Sequence, residues 1–78
     1  MTNLELYNRA FIDSFEVEEN ELEELAYLSS PAWDSIGHME LIAALEDAFD
    51  IMMDTDDIID FSSYVKGKEI LKKYEITI

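Results

Sequence analysis

The sequence predicts an all-α protein, a small four-helix bundle with three longer helices and a short third one, formed by a single domain over residues 1–78. Three observations lead there. Apolar residues recur at three- and four-residue steps, strand-like alternation is nearly absent, and two glycines and one proline are the only strong punctuation. With 49% of its residues hydrophobic, the chain is too apolar for a solvated acidic tail. A domain of this size buries only about 60% of its unfolded surface, so the core is expected to be small.

Thr2 and Glu5 have the spacing of a capping box, and Leu4, Tyr7, Phe11 and Phe15 follow on one helical face. This helix is expected to end near Glu16, before the acidic run 18–24. Leu22, Leu25 and Leu28 keep a helical step that allows a short turn or partial helix, which Ser29, Ser30 and Pro31 stop. A second helix starts at Asp34 or Ser35 and continues to about Phe49, with Leu41, Ile42, Leu45, Ala48 and Phe49 as its apolar stripe. Glu40, Asp47 and Asp50 point the other way, with Glu46 at the margin. After a loop over residues 50–54, Asp54, Thr55, Asp56 and Asp57 place negative charge at the start of a short third helix containing Ile58 and Ile59. Ser62 or Ser63 then caps a last helix, where Tyr64, Leu71 and Tyr74 recur and Lys72 and Lys73 sit in the final turn. Residues 75–78 have β character but are too few to build on.

Five basic against nineteen acidic side chains give a formal charge of −14. Nucleic acid phosphate and anionic lipid both repel such a chain and are excluded as partners. Residues 1–60 carry seventeen of the acids and a single base, Arg9, whereas residues 61–78 carry four lysines against two glutamates. The absence of cysteine excludes disulfides, thiolate zinc sites and a thiol nucleophile in the polypeptide. The longest run without a formal charge is nine residues, 25–33, far short of a membrane span. No basic, apolar leader opens the sequence, and the expectation is a soluble, cytoplasmic monomer.

Three constellations carry possible chemistry. Asp34, Ser35 and His38 invite comparison with a serine hydrolase triad. However, adjacent residues do not easily flank one imidazole, and a bundle this small offers no evident substrate cleft. His38 reads instead as a half-buried helix residue, and no catalytic residue is expected. Asp54, Asp56, Asp57 and Asp60 suggest calcium, but a loop starting at Asp54 has Ile59 in place of the required glycine and Val65 in place of the bidentate glutamate. No dedicated metal site is expected. The third constellation is Trp33-Asp34-Ser35-Ile36. A serine in the first turn of a helix holds an exposed hydroxyl beside unpaired backbone N–H groups, where an attached phosphate is favoured. The plain alternative is that Asp34 or Ser35 is only an N-cap. Asp13-Ser14-Phe15 has the same form but closes a helix, so position discriminates between the two.

Asp34-Ser35-Ile36, with Met39-Glu40-Leu41-Ile42, Ala44-Leu45-Glu46 and Phe49 after it, resembles the modification motif and recognition helix of the acyl carrier protein family. The likeness extends to the acidic first loop, the short helix after Asp54 and the serine pair before the last helix, and covers nearly the whole chain. It implies that Ser35 carries 4′-phosphopantetheine, transferred from coenzyme A by a phosphopantetheinyl transferase. A thiol on that arm would hold an acyl group as a thioester. The protein is then a substrate of enzymes, not a catalyst. Asp34, Glu40, Glu46, Asp47, Asp56 and Asp57 become candidates for docking the basic patches of a ligase, synthases and acyltransferases. Met39, Ile42, Leu45, Met53, Ile58 and Ile59 become candidates for lining an apolar space between helices that opens when the acyl chain is loaded.

Trp33, Gly37-His38 and the lysine-bearing last helix depart from the family's fatty-acid members and point to a specialised carrier with a dedicated acyl or aminoacyl ligase. An aminoacyl or peptidyl carrier would use the same serine. An unmodified acidic adaptor, binding basic partners through its helix face, would not use it at all. One expectation concerns the charge directly. Because the acids of residues 1–60 repel one another, adding salt at neutral pH is expected to raise the melting temperature, and a flat salt titration would contradict this.

Overall fold

The first helix, α1 (Asn3–Phe15), begins at the expected capping box: the Glu5 N–H donates to Thr2 Oγ1 at 3.1 Å, and the Thr2 N–H to Glu5 Oε1 at 3.3 Å. It stops where Glu16 enters the left-handed region (φ 55°) and turns its N–H back to the Ile12 carbonyl. Tyr7, Ala10, Phe11 and Phe15 are buried, whereas Leu4, in the first turn, is exposed. The computed structural model describes residues 2–78, and over them the protein is all-α. A 3-10 helix (Glu19–Glu24), α2 (Ser35–Phe49), α3 (Thr55–Asp60) and α4 (Tyr64–Lys72) follow α1. No helix among the described residues is long and apolar enough to cross a membrane.

The acidic run forms the 3-10 helix, started by a bond from the Glu18 N–H to Glu21 Oε1. Leu22 and Leu25 are buried, but the helical step does not extend to Leu28, which is exposed and has φ 68°. The physical reason is a long-range pairing. Ala26 and Ser63 form an antiparallel bridge, in which the Tyr27 N–H donates to the Ser62 carbonyl and the Tyr64 N–H to the Leu25 carbonyl. The backbone must leave the helix to make these bonds. Residues 28–33 then close a loop through bonds from the Leu28 N–H to the Trp33 carbonyl and from the Trp33 N–H to the Ser30 carbonyl.

That loop drives Trp33 into the core, where it is completely buried. Its indole stacks on Phe15 at 5.1 Å between ring centres and meets Phe11 edge-on at 5.6 Å. Phe11 also meets Tyr7, Phe61 and Tyr64, so one aromatic cluster joins α1, the loop and the start of α4. The buried Tyr7 hydroxyl donates to the Tyr64 carbonyl at 2.6 Å, which satisfies its polar atom, and burial raises the phenol's pKa well above its ordinary value. Gly67 makes α4's approach possible. A Cβ there would lie 2.2 Å from Phe61 Cζ and 2.3 Å from the Tyr7 hydroxyl. Leu41, Ile42 and Leu45 of α2 fill the other side of the core, while Ala48, expected in the same stripe, is exposed and Phe49 is half-buried.

Ser63, not Ser62, caps α4, accepting the Lys66 N–H at 2.9 Å. Beyond α4 the chain folds back on α3. The Tyr74 hydroxyl donates to Asp57 Oδ2 at 2.6 Å and accepts the Asp54 N–H, while Lys73 Nζ lies 2.9 Å from Asp57 Oδ1. Residues 75–78 add no strand: Ile76 is buried and the Thr77 carbonyl accepts from Asn3 Nδ2.

The Asp57 clip has a pH signature. The Tyr74 hydroxyl first, and the Lys73 ammonium second, hold the Asp57 carboxyl below the usual carboxylate range. A carboxyl depressed in the folded state stabilises fully above its unfolded pKa, about 3.9, and its contribution fades as pH falls through the folded value. Asp57→Asn is therefore expected to lower the urea midpoint at neutral pH, with the difference from wild type shrinking below about pH 4. A difference independent of pH would take the carboxylate out of the account.

Candidate functional site

The start of α2 divides two tasks between neighbouring residues. Asp34 is the N-cap, with its Oδ1 accepting the Gly37 N–H at 2.8 Å and its carbonyl accepting the His38 N–H. Ser35 is the first helical residue, exposed, and its hydroxyl takes no part in capping. Instead Ser35 Oγ lies 3.1 Å from the hydroxyl of Tyr27, brought there by the bridge between residues 26 and 63. The Ser35 and Ile36 N–H groups, in the first turn, have no acceptor within the helix.

Gly37 allows this geometry by close approach. A Cβ at that position would lie 1.9 Å from the Ala32 carbonyl oxygen and 3.2 Å from Phe15 Cε1, so any larger residue would push the 28–33 loop off α2. With the loop in place, the Trp33 indole N–H reaches His38 Nδ1 at 2.9 Å, and His38 Nε2 reaches the Ile58 carbonyl at 2.7 Å. The indole N–H can only donate, so Nδ1 accepts it, and Nε2 faces the Ile58 carbonyl. Neither nitrogen remains to take a proton from Ser35, so the triad arrangement is not formed. Trp33, Gly37 and His38, three separate oddities in the sequence, are parts of one contact.

Beside Ser35, between α2 and α3, lies an open and largely apolar cavity of about 440 Å³. Met39, Ile58 and Ile59 line it. Tyr27, His38, Phe61 and Ser62, which were not expected there, line it too. Ile42, Leu45 and Met53 do not. They are 1%, 0% and 7% exposed and belong to the core beneath. Comparisons with family models, with curated proteins and with solved structures found no match.

The candidate docking carboxylates also separate. Asp34, Glu40, Asp47 and Asp56 are exposed, although Asp34 spends one oxygen on the cap. Glu46 turns inward, its Oε2 accepting the Met53 N–H at 2.9 Å and holding the loop after α2. Asp57 is 7% exposed and committed to Lys73 and Tyr74, because the chain beyond α4 folds over it. Among the described residues, no three His, Asp or Glu side chains converge as a metal ion would require.

The division of labour at the helix start is measurable. Asp34→Ala is expected to cost about 0.5–2 kcal/mol of stability in urea unfolding. Ser35→Ala, which removes no cap, is expected to change it by less than about 0.5 kcal/mol. The reverse order would make Ser35 the cap.

Proposed function

We propose that this protein is an acyl carrier protein, a four-helix bundle that carries 4′-phosphopantetheine on Ser35. The observation that carries the reading is that Asp34 does the capping, which leaves the Ser35 hydroxyl exposed at a helix start with an apolar cavity at its side. The residues present fit such a group. A phosphodiester at Ser35 would face the unpaired N–H groups of the first turn, and an arm extending from it would run along Met39 and Ile59. When bound, the group supplies a thiol that holds acyl cargo as a thioester, in a chain that has no cysteine of its own.

In the modification step, the Ser35 oxygen forms a bond to the pantetheine-bearing phosphorus of coenzyme A. The pyrophosphate link breaks, adenosine 3′,5′-bisphosphate leaves, and the hydroxyl proton passes to the phosphopantetheinyl transferase. Tyr27 must release the serine oxygen for this. Its exposed position on a loop makes that movement local. The two engaged nitrogens of His38 favour a carrier over a hydrolase. Glu40, Asp47 and Asp56, which are exposed, would meet basic patches on a ligase, synthases and acyltransferases. Tethering then makes each transfer intramolecular once docked. On this reading the protein acts as a monomer in the cytoplasm, where coenzyme A supplies the arm.

The test is intact mass after incubation with coenzyme A, magnesium and a promiscuous phosphopantetheinyl transferase. The wild-type chain is expected to gain one phosphopantetheine and Ser35→Ala none. No gain in either, with a validated carrier modified alongside, would leave a transferase selective for this chain or an unmodified acidic adaptor.

A further inference from the structure

The cavity beside Ser35 has a floor, and the floor is held by hydrogen bonds. His38 forms it together with Phe61, their ring centres 6.3 Å apart. Phe61 is completely buried, as is Trp33 beneath the floor, and the Trp33 and His38 rings lie nearly parallel, 15° apart in tilt. The imidazole is fixed at both ends. Trp33 Nε1 donates to one nitrogen, and the other donates to the Ile58 carbonyl, a group near the end of α3 that no later helical N–H reaches. His38 thereby ties the 28–33 loop to α2, and α2 to α3. Widening the gap between α2 and α3 towards Ile42 and Leu45 would break the bond to Ile58. Displacing the ring would strand the Trp33 indole N–H in the core.

We propose that His38, fixed between Trp33 and Ile58, shuts the interior to whatever Ser35 carries, so that the cargo is a compact acyl group lying in the outer cavity and not a long hydrocarbon chain threaded into the core. The inference rests on the carrier reading above and adds the class of cargo to it. At about 440 Å³ the cavity lies towards the small end of ligand sites, which run from about 300 to 1,000 Å³. Tyr27 and Ser62 add polar residues to its otherwise apolar lining, which suits a small group with a polar atom. His38 is a positioning residue here: it selects cargo by the space it denies.

The experiment loads the full chain with acetyl, butyryl, octanoyl and dodecanoyl coenzyme A through the transferase, confirms each product by mass, and follows thioester hydrolysis in mild base together with the melting temperature. In the wild type, octanoyl and dodecanoyl thioesters are expected to hydrolyse as fast as butyryl and to leave the melting temperature unchanged. In His38→Ala the longer chains are expected to gain severalfold protection and a melting temperature that rises with length. Trp33→Phe, which keeps an aromatic ring but removes the indole donor together with part of the buried ring, is expected to move the same way should His38→Ala prove too unstable. Wild-type protection that grows severalfold from butyryl to dodecanoyl would overturn the inference and leave the carrier reading intact. Absence of any loaded product would overturn both.

Discussion

The indole of Trp33 ties the first helix and the aromatic cluster to the start of α2. It stacks on Phe15 from α1, meets Phe11 and Phe61 in the aromatic cluster, and donates its N–H to His38 of α2, which in turn reaches the Ile58 carbonyl of α3. The order of dependence follows from sterics. The loop before α2 can drive the indole inward only if its backbone lies against the helix, and only the missing side chain of Gly37 makes room for the Ala32 carbonyl. Once the indole is buried, its single N–H must find an acceptor, and His38 is that acceptor. The start of α2, and with it the direction in which Ser35 points, is thus set by packing two residues upstream of the helix as much as by the helix itself.

Electrostatics work against this core. Among the described residues the one ion pair is Lys73 with Asp57, so most of the nineteen acids have no cationic neighbour to offset them. The pair lies between α3 and the chain beyond α4, where Tyr74 adds its hydroxyl to the same carboxylate. The few bases of the sequence are concentrated in the last quarter, and one of them closes the molecule. Glu46 is put to similar use, its carboxylate holding the Met53 N–H so that the loop after α2 returns towards the core. Glu46 and Asp57 therefore act inward, and the outward charge rests on other acids.

Local patterns were legible in the sequence wherever a local cause decides the structure. The Thr2–Glu5 box, the three- and four-residue spacing of Tyr7, Phe11 and Phe15, and the start of α2 at residue 34 or 35 all depend on contacts within a few residues. Leu28 was misleading because a pairing between residues 26 and 63 overrides its helical step. The same pairing places Tyr27 and Ser62 at the cavity, and no local signal announces it. Ile42, Leu45 and Met53 shared the apolar character of Met39, Ile58 and Ile59, but periodicity cannot say which apolar residues of a small helical fold line a surface cavity and which lie under it. His38 was legible as half-buried. Its two partners were not, since one lies five residues before it and the other twenty after.

The chain contains its own control for the motif. Asp13-Ser14-Phe15 repeats the aspartate–serine–apolar pattern of residues 34–36, but it lies in the last turn of α1. There the backbone N–H groups are already bonded within the helix, and the nearby dipole end is negative, so a phosphate at Ser14 would meet repulsion. At Ser35 the same three residue types meet the positive end, the cap is supplied by Asp34, and an apolar cavity begins beside the hydroxyl. The chemistry open to a serine in this protein is thus decided by which end of a helix it occupies and by whether its neighbour has already taken the capping role.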